Sequence, residues 1–172
     1  LPLDLAYVPI VESAFRTEAL SRAKAKGFWQ LMRPTAVEQG LKYDWYIDER
    51  SSPEKSTAAA VKYLKYLNSR FDGDWHLALA SYNGGPGTVQ RAVKRKGKAD
   101  FWPLAEGRQF LPRETREYVP MVLASIVIAR NPGHYGFSLT PAELPPTDKV
   151  TLPGPVDLRR VAEWAGVPID EV

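Results

Sequence analysis

Residues 3–13 read Leu-Asp-Leu-Ala-Tyr-Val-Pro-Ile-Val-Glu-Ser, a strongly apolar run that ends at Glu12 and Ser13. The run predicts a largely buried helix in spite of Pro9. A carboxyl group at the end of such a run loses hydration, which raises its pKa and favours the protonated form near neutral pH. Glu12 is therefore a candidate general acid, and the alternative is a glutamate at a helix end that faces water.

Most of the first 131 residues are predicted to be helical. Ser52 before Pro53 is a typical helix start, and apolar residues recur behind it at three- and four-residue steps through Phe71. Asp74 is suited to cap the next helix. The later helices are predicted to run up to Asn83-Gly84-Gly85, from Pro86 through Val93, and from about Pro112 to Arg130 with Val122, Leu123, Ile126 and Val127 on the buried face.

The C-terminal part differs in composition, with six prolines and three glycines in residues 131–155. Such a segment predicts an extended arm. Residues 156–172 have the apolar spacing of one short amphipathic helix that ends near Gly166. Since no convincing strand pair is found, the predicted fold is mainly α, with a helical domain over residues 1–131 and a proline-rich arm with a final short helix over residues 132–172.

Composition argues against several classes of function. The chain has no cysteine, so no disulfide, thiolate nucleophile or cysteine metal site is possible, and its two histidines lie far apart in sequence, so a histidine-rich metal site is not expected. Its net charge of +3 is mild, and the basic run over residues 91–98 lacks base-stacking aromatics, so nucleic acid is not an expected partner. The apolar stretch over residues 119–129 is shorter than the roughly 20 residues of a membrane span. Any leader or anchor is expected to lie outside this sequence, which starts at Leu1.

Three further motifs carry side chains that suit a carbohydrate cleft. Gly27-Phe28-Trp29-Gln30 combines a glycine, which lets a ligand approach the backbone, with aromatic faces and an amide; the alternative is a loop followed by core aromatics. Ser81-Tyr82-Asn83-Gly84-Gly85 places a tyrosine and an asparagine at a helix end, and the alternative is plain C-capping. Tyr118 is suited to hydrogen-bond a catalytic carboxyl, and the alternative is a half-buried packing residue.

Together with neighbouring blocks, these motifs resemble a known family. The blocks are Glu12-Ser13-Ala14-Phe15, Ala19 through Met32, Pro34-Thr35-Ala36, Gly40-Leu41, Ala80 through Gly85, and Leu111 through Pro120. In this order they resemble the lysozyme-like (SLT) domain of soluble and membrane-bound lytic transglycosylases of family 1, over roughly residues 1–131. Lys24 replaces the first glycine of the family's Ser-x-x-Gly-Ala-x-Gly stretch, a difference that bears on the loop and not on activity. Residues 156–172 resemble part of a LysM glycan-binding repeat.

The resemblance implies a role for particular residues. Glu12 corresponds to the sole catalytic acid/base of the family, and Tyr118 to the tyrosine that orients its carboxyl group. The residues implied in binding substrate are Ser21, Gln30 and Met32 in the cleft, and Tyr82 and Asn83 near the scissile bond. The implied chemistry requires no metal ion or other cofactor.

The activity that the resemblance implies is cleavage of the β-1,4 bond between N-acetylmuramic acid and N-acetylglucosamine in peptidoglycan, without water, to leave 1,6-anhydro ends. The implied location is the bacterial cell envelope, in the periplasm and associated with the outer membrane, with any lipid anchor outside this sequence. Two alternatives stay open. One is a muramidase that hydrolyses the same bond, and the other is a non-catalytic glycan-binding protein with a degenerate lysozyme fold.

Overall fold

The computed structural model describes residues 1–140 and 150–172. Within these ranges the chain forms α-helices and short 3-10 helices but no β-strand, which confirms the predicted mainly α fold. The α-helices are α1 (Val8–Ser13), α2 (Arg33–Glu38), α3 (Pro53–Arg70), α4 (Trp75–Gly84), α5 (Pro86–Lys96), α6 (Phe101–Glu106), α7 (Arg113–Arg130) and α8 (Leu158–Ala165). The 3-10 helices are Leu3–Tyr7, Glu49–Ser51, Pro132–Tyr135 and Ile169–Glu171.

The opening apolar run is helical but not buried along its whole length. It begins as the 3-10 helix Leu3–Tyr7 and continues as α1, with Pro9 in the first turn, where its missing N–H leaves no hydrogen bond unmade. Val8 is fully buried, whereas Leu3 is 91% and Ile10 38% exposed, so the prediction of a largely buried helix is wrong for these two residues. A 3-10 helix and an α-helix have different numbers of residues per turn. Apolar residues at one regular spacing therefore do not all lie on the buried face when the chain passes from one to the other.

Helix α4 lies at the centre of the core. Its residues 77–81 are all buried, and α3, α5 and α7 pack around it. Asp74 caps α4 as predicted, because its carboxylate accepts a 2.9 Å hydrogen bond from the backbone N–H of Leu77. A helix covered on several sides fixes the position of its C-terminal end, and that end carries Tyr82 and Asn83.

Helices α4 and α7 approach each other closely at Gly84. A β-carbon added to Gly84 would lie 2.5 Å from Oγ1 and 3.0 Å from Cγ2 of Thr115, which is itself only 1% exposed. The glycine therefore has a packing role in addition to ending the helix. The contact determines the spacing of the two helices at the point where α4 ends.

The buried face of α7 is shorter than predicted. Val122 is fully buried and Ile126 is partly buried, but Val127 is 48% exposed, so the prediction is wrong for Val127. The C-terminal end of α7 lies at the surface, where Arg130 donates hydrogen bonds to the Asp4 carboxylate. The core therefore ends before the helix does.

The described chain divides into two compact units, Leu1–Ser138 and Leu139–Val172. The first extends past residue 131 because the 3-10 helix Pro132–Tyr135 packs on α7. The second contains α8, which forms the predicted final short helix, begins with an Asp157 cap and ends at Gly166. The predicted extended arm includes residues 141–149, which lie outside the described residues. Across the described ranges, no helix has both the length and the hydropathy that crossing a bilayer would require.

Gly84→Ala is expected to lower the free energy of unfolding by about 1–3 kcal/mol, because the added methyl group overpacks the contact with Thr115. Gly87→Ala in α5 is the matched control, since a β-carbon there meets only the flexible end of Arg91, at 3.4 Å. The control is expected to change stability by less than about 1 kcal/mol or to increase it. Urea denaturation measures both variants, and equal losses of stability would contradict the close α4–α7 contact.

Candidate active site

Glu12 lies in the last turn of α1, and its side chain lines a cleft of about 380 Å³. The helix is held against the rest of the domain by buried Val8 and by Ser13, whose hydroxyl donates a 2.9 Å hydrogen bond to the carbonyl of Phe28. Behind Ser13 the chain turns sharply, because Ala14 has a left-handed backbone with φ of 50°. The carboxyl group therefore stands at the end of a short helix whose backbone is fixed.

Tyr118, on α7, donates a 2.5 Å hydrogen bond from its hydroxyl group to Oε1 of Glu12. The tyrosine is 3% exposed, and burial, together with the charge of Glu12, holds the pKa of its phenol well above the usual value. The phenol therefore keeps its proton and is a permanent donor to the carboxyl. This is the contact that the sequence predicts for Tyr118, while its catalytic role stays a prediction.

The environment of Glu12 favours its protonated form. Burial is the main cause that raises the pKa of Glu12 from 4.5 to about 7. The hydrogen bond from Tyr118 acts in the opposite direction and stabilises the carboxylate, while the nearby charge of Glu114 again raises the pKa. Since the loss of hydration outweighs the hydrogen bond, both protonation states are well populated near neutral pH, and the side chain can give and take a proton.

The loop over residues 19–31 forms another wall of the cleft, to which Ser21 and Gln30 contribute. Gln30 has a left-handed backbone with φ of 44°, an uncommon conformation for a residue other than glycine. Its amide nitrogen donates hydrogen bonds of 3.0 Å to the Ala19 carbonyl and 2.8 Å to the Gly27 carbonyl, which hold this conformation in place. Because the nitrogen is used within the loop, the amide oxygen is the group that Gln30 can offer to a ligand.

Arg50, which does not line the cleft, supports this loop through its hydrogen bonds. Its guanidinium group is buried and donates hydrogen bonds to the carbonyls of Lys24, at 2.8 Å, and Leu31, at 3.1 Å. The Asp48 carboxylate accepts two further bonds from it, of 2.9 and 2.8 Å, and these hold the pKa of Asp48 below its usual value. Sequence analysis did not identify Arg50, because nothing in its local spacing indicates contact with a loop so far away along the chain.

The glycine and aromatic residues of the Gly27-Phe28-Trp29 motif do not form the predicted sugar-binding wall. A β-carbon at Gly27 would lie 2.0 Å from the carbonyl oxygen of Arg50, so the space above this glycine is filled by the protein's own backbone. Trp29 is 5% exposed and donates a 2.8 Å hydrogen bond to Thr57, and Phe28 packs edge-on against Phe15. The alternative, a loop followed by core aromatics, is the correct interpretation of these three residues.

Tyr82 and Asn83, at the end of α4, line the cleft next to Glu12. The Tyr82 hydroxyl donates a 2.6 Å hydrogen bond to the carbonyl of Trp29, and burial raises the pKa of this phenol well above its usual value. The Asn83 amide accepts a 2.9 Å bond from the hydroxyl of Thr115 and donates one of 3.3 Å to Glu114. Both residues are therefore held in single orientations by neighbouring elements.

The cleft brings together all the site residues that the sequence predicts. These are Glu12, Ser21, Gln30, Met32, Tyr82, Asn83 and Tyr118. It also contains Glu114 and Met121, for which sequence analysis predicted no role. Glu114 could have been found, because it precedes Tyr118 by one helical turn and so shares its face of α7. In the ranges that the structure describes, no group of three or more acidic, histidine or cysteine side chains could hold a metal ion.

Comparison with known proteins agrees with this geometry. The family model "Transglycosylase SLT domain" matches residues 2–105. Membrane-bound lytic murein transglycosylase D of Escherichia coli K12 is 41% identical over 182 residues, an alignment that covers all of this chain and 38% of that protein. A peptidoglycan transglycosylase of Escherichia phage T7 is 34% identical over 110 residues, which is 62% of this chain and 8% of the phage protein.

The fold also matches a solved structure. The crystal structure of the 70 kDa soluble lytic transglycosylase of E. coli superposes with a TM-score of 0.66 at 27% identity, over 76% of this chain and 22% of that one. This agreement confirms the lysozyme-like helical fold that the motifs predict. The chain thus spans well under half the length of these relatives. Since the family model covers more than half of the sequence and the E. coli D-type relative aligns with all of it, this chain belongs to the transglycosylase SLT domain family.

Proposed function

We propose that this chain is a peptidoglycan lytic transglycosylase that uses Glu12 as its single acid/base. The observation that carries the proposal is the Glu12 carboxyl group, which has a pKa of about 7, accepts a 2.5 Å hydrogen bond from Tyr118 and lines a cleft of about 380 Å³. A carboxyl tuned to neutral pH suits a reaction that needs an acid first and a base afterwards. The names of the relatives support the same chemistry.

In the proposed reaction, all bonds form and break within the substrate, and Glu12 supplies one proton and takes one back. Glu12, protonated, gives its proton to the oxygen that joins N-acetylmuramic acid to N-acetylglucosamine, and that bond breaks. The carbonyl oxygen of the 2-acetamido group attacks the anomeric carbon and forms an oxazolinium ring. The Glu12 carboxylate then takes the proton of the 6-hydroxyl group, whose oxygen displaces the acetamido oxygen and closes the 1,6-anhydro ring. Both attacks are intramolecular, so the protein's task is to position the sugar and transfer the proton.

The other cleft residues have positioning roles in this proposal. Tyr118 keeps the Glu12 carboxyl in one rotamer and stabilises the carboxylate form once the proton has left. Asn83 and the amide oxygen of Gln30 offer polar groups to the N-acetyl and hydroxyl groups of the sugars, and Ser21 and Met32 complete the lining. No metal ion or cofactor enters the proposed chemistry.

A hydrolytic muramidase is the second candidate, and one observation favours it. Glu114 places a second carboxyl group in the cleft with Glu12, and ordinary glycosidases use a pair of carboxyl groups. In the transglycosylase proposal, Glu114 accepts a hydrogen bond from Asn83 and raises the pKa of Glu12 by its charge. Product analysis distinguishes the two candidate functions, because a transglycosylase leaves 1,6-anhydro ends and a muramidase leaves reducing ends.

We further propose that the protein acts in the bacterial cell envelope, in the periplasm and in association with the outer membrane. The support is the membrane-bound E. coli relative, of which this chain matches 38%. The expected partner is the glycan strand of peptidoglycan, and nucleic acid is not an expected partner. We also propose a lipid anchor outside this sequence, LysM-type repeats after residue 172 and a domain boundary near residue 131.

Glu12→Gln is expected to reduce the release of anhydro ends from purified peptidoglycan by at least about 10²–10⁴-fold, because the variant can neither give nor take the proton. Turnover is measured by chromatography of the soluble products, and circular dichroism checks that the helices are retained. Glu106→Gln, at an exposed position outside the cleft, is the matched control and is expected to keep full activity. Substantial turnover by Glu12→Gln would exclude Glu12 as the acid/base.

The stability of the protein is expected to depend on the protonation of Glu12. Its pKa is raised in the folded state from 4.5 to about 7, so the folded protein binds this proton more tightly than the unfolded chain does. The resulting stabilisation is complete below about pH 4.5 and is lost as the pH rises through about 7. Relative to Glu12→Gln, which does not titrate, the chain should lose up to about 3 kcal/mol between pH 4.5 and 8. Urea denaturation of both proteins across this range measures the difference, and a constant difference would contradict the assigned pKa.

Tyr118→Phe removes the hydrogen bond to Glu12 but keeps the buried ring. The rate is expected to fall roughly tenfold to a hundredfold, because the carboxyl loses its donor, while KM for glycan strands changes little. Tyr135→Phe, in the 3-10 helix that follows α7, is the control for loss of a tyrosine hydroxyl group. An unchanged kcat in Tyr118→Phe would show that the hydrogen bond has no part in the reaction.

A further inference from the structure

The cleft continues past Glu12 into a second lobe of about 520 Å³. Glu12, Ser21 and Gln30 line both this second lobe and the first lobe described above. The second lobe has an apolar rim, on which Ile10 and Leu20 are 38% and 57% exposed. Apart from Glu12, its lining carries one charged residue, Arg16. The proposed function assigns no role to this arginine.

Within the described ranges, the guanidinium group of Arg16 has no hydrogen-bond or ion-pair partner. The acidic residue nearest to it in sequence, Glu18, lies 3.9 Å from the ammonium group of Lys26. A guanidinium group carries a permanent positive charge and five N–H donors in a planar fork, which matches the two oxygens of a carboxylate. Arg16 therefore offers an unused binding group at the lobe.

The backbone that carries Arg16 is held firmly. Ala14 and Phe15 both have left-handed φ values, of 50° and 60°, which is costly for residues other than glycine. The N–H of Arg16 donates a 3.1 Å hydrogen bond to the Ser13 carbonyl, and the Phe15 ring packs on Phe28 with 5.8 Å between the ring centroids. The backbone of Arg16 is thus fixed before any ligand binds, so binding has to order only the exposed side chain.

The two lobes differ in charge. The charged residues of the first lobe are Glu12 and Glu114, which are both acidic. Those of the second lobe are Glu12 and Arg16, of which one is acidic and one basic. An anionic group on the substrate is repelled by the first lobe and attracted by the second. In a peptidoglycan strand the anionic groups belong to the muramic acid residues, as the lactyl carboxyl group or as the carboxylates of the attached stem peptide.

We infer that Arg16 binds a carboxylate on the muramic acid substituent in the second lobe, and so selects how the strand lies across Glu12. This inference rests on the proposed function, because it takes the peptidoglycan strand as the substrate. Two sources offer the same carboxylate chemistry, the stem peptide and the free lactyl group. Arg16 contributes through binding and does not touch the reacting bond.

Three glycan preparations test the inference with the complete 172-residue chain. The first has intact stem peptides, the second has the same stems with their carboxylates amidated through a carbodiimide, and the third has the stems removed by an amidase, which leaves the lactyl carboxylate. KM and kcat for release of anhydro ends are measured for the unsubstituted chain and for Arg16→Gln. Arg22→Gln is the matched control, because Arg22 is an exposed arginine on the loop over residues 19–31 that lines neither lobe.

Arg16→Gln is expected to raise KM roughly tenfold on strands with intact stems, at unchanged kcat, and to leave KM unchanged on amidated strands. Removal of the stem frees the lactyl carboxyl group, which is part of an amide bond while the stem is attached. A rise in KM on stem-free strands shows that Arg16 binds the lactyl carboxylate, and no rise there shows that it binds only the stem carboxylates. The inference is overturned if Arg16→Gln behaves like Arg22→Gln on both intact and stem-free strands, or if KM rises as much on amidated strands as on intact ones. Absence of anhydro ends from the unsubstituted chain on every preparation would instead refute the proposed function.

Discussion

The hydrogen bond from Tyr118 to Glu12 joins residues 106 positions apart, and it exists only because the helices between them pack in one way. α1 must end beside α7, and α7 is set on α4 by the contact of Thr115 with Gly84. The same packing that brings the phenol to the carboxyl also removes water from both groups. Burial then outweighs the hydrogen bond and places the pKa of Glu12 at about 7. The core therefore determines the proton affinity of the site as well as its shape.

The cleft contains a second carboxyl group, that of Glu114, beside Glu12. The sequence offers Glu12 as its one good acid/base candidate, but Glu114 lines the same cleft and raises the pKa of Glu12 through its charge. Its own hydrogen bond comes from Asn83, which Thr115 holds from the other side. A negative charge held in this way beside Glu12 favours the protonated form of Glu12. Two carboxyl groups in one cleft are thus compatible with a reaction that uses only one.

The helices that carry the site residues could be predicted from the sequence, because capping residues and glycines mark their ends. Asp74 caps α4 and the glycines at 84 and 85 follow Asn83, so Tyr82 and Asn83 were correctly placed at a helix end. The motifs also identified Glu12 and Tyr118, which the structure joins. What failed was the interpretation of Gly27 and its aromatic neighbours. Gly27 faces the backbone carbonyl of Arg50 and not a ligand, and no local pattern in the sequence predicts this contact.

The loop over residues 19–31 could not be predicted for a related reason. Two of its residues other than glycine, Lys24 and Gln30, have left-handed backbones that the sequence does not favour. Hydrogen bonds from the Gln30 side chain and from buried Arg50 offset this local cost.

The site thus has parts of two kinds. Glu12, Tyr118, Tyr82 and Asn83 stand on helices whose positions the core fixes. Ser21 and Gln30 stand on the strained loop, and Arg16 on the strained turn that follows α1. The two sets are joined by hydrogen bonds, because Ser13 of α1 donates to the Phe28 carbonyl and Tyr82 of α4 donates to the Trp29 carbonyl, both in the loop. The strained loop therefore helps to position the helices of the site as well as lining the cleft, and a substitution that disturbs its backbone is expected to affect both the binding surface and the position of Glu12.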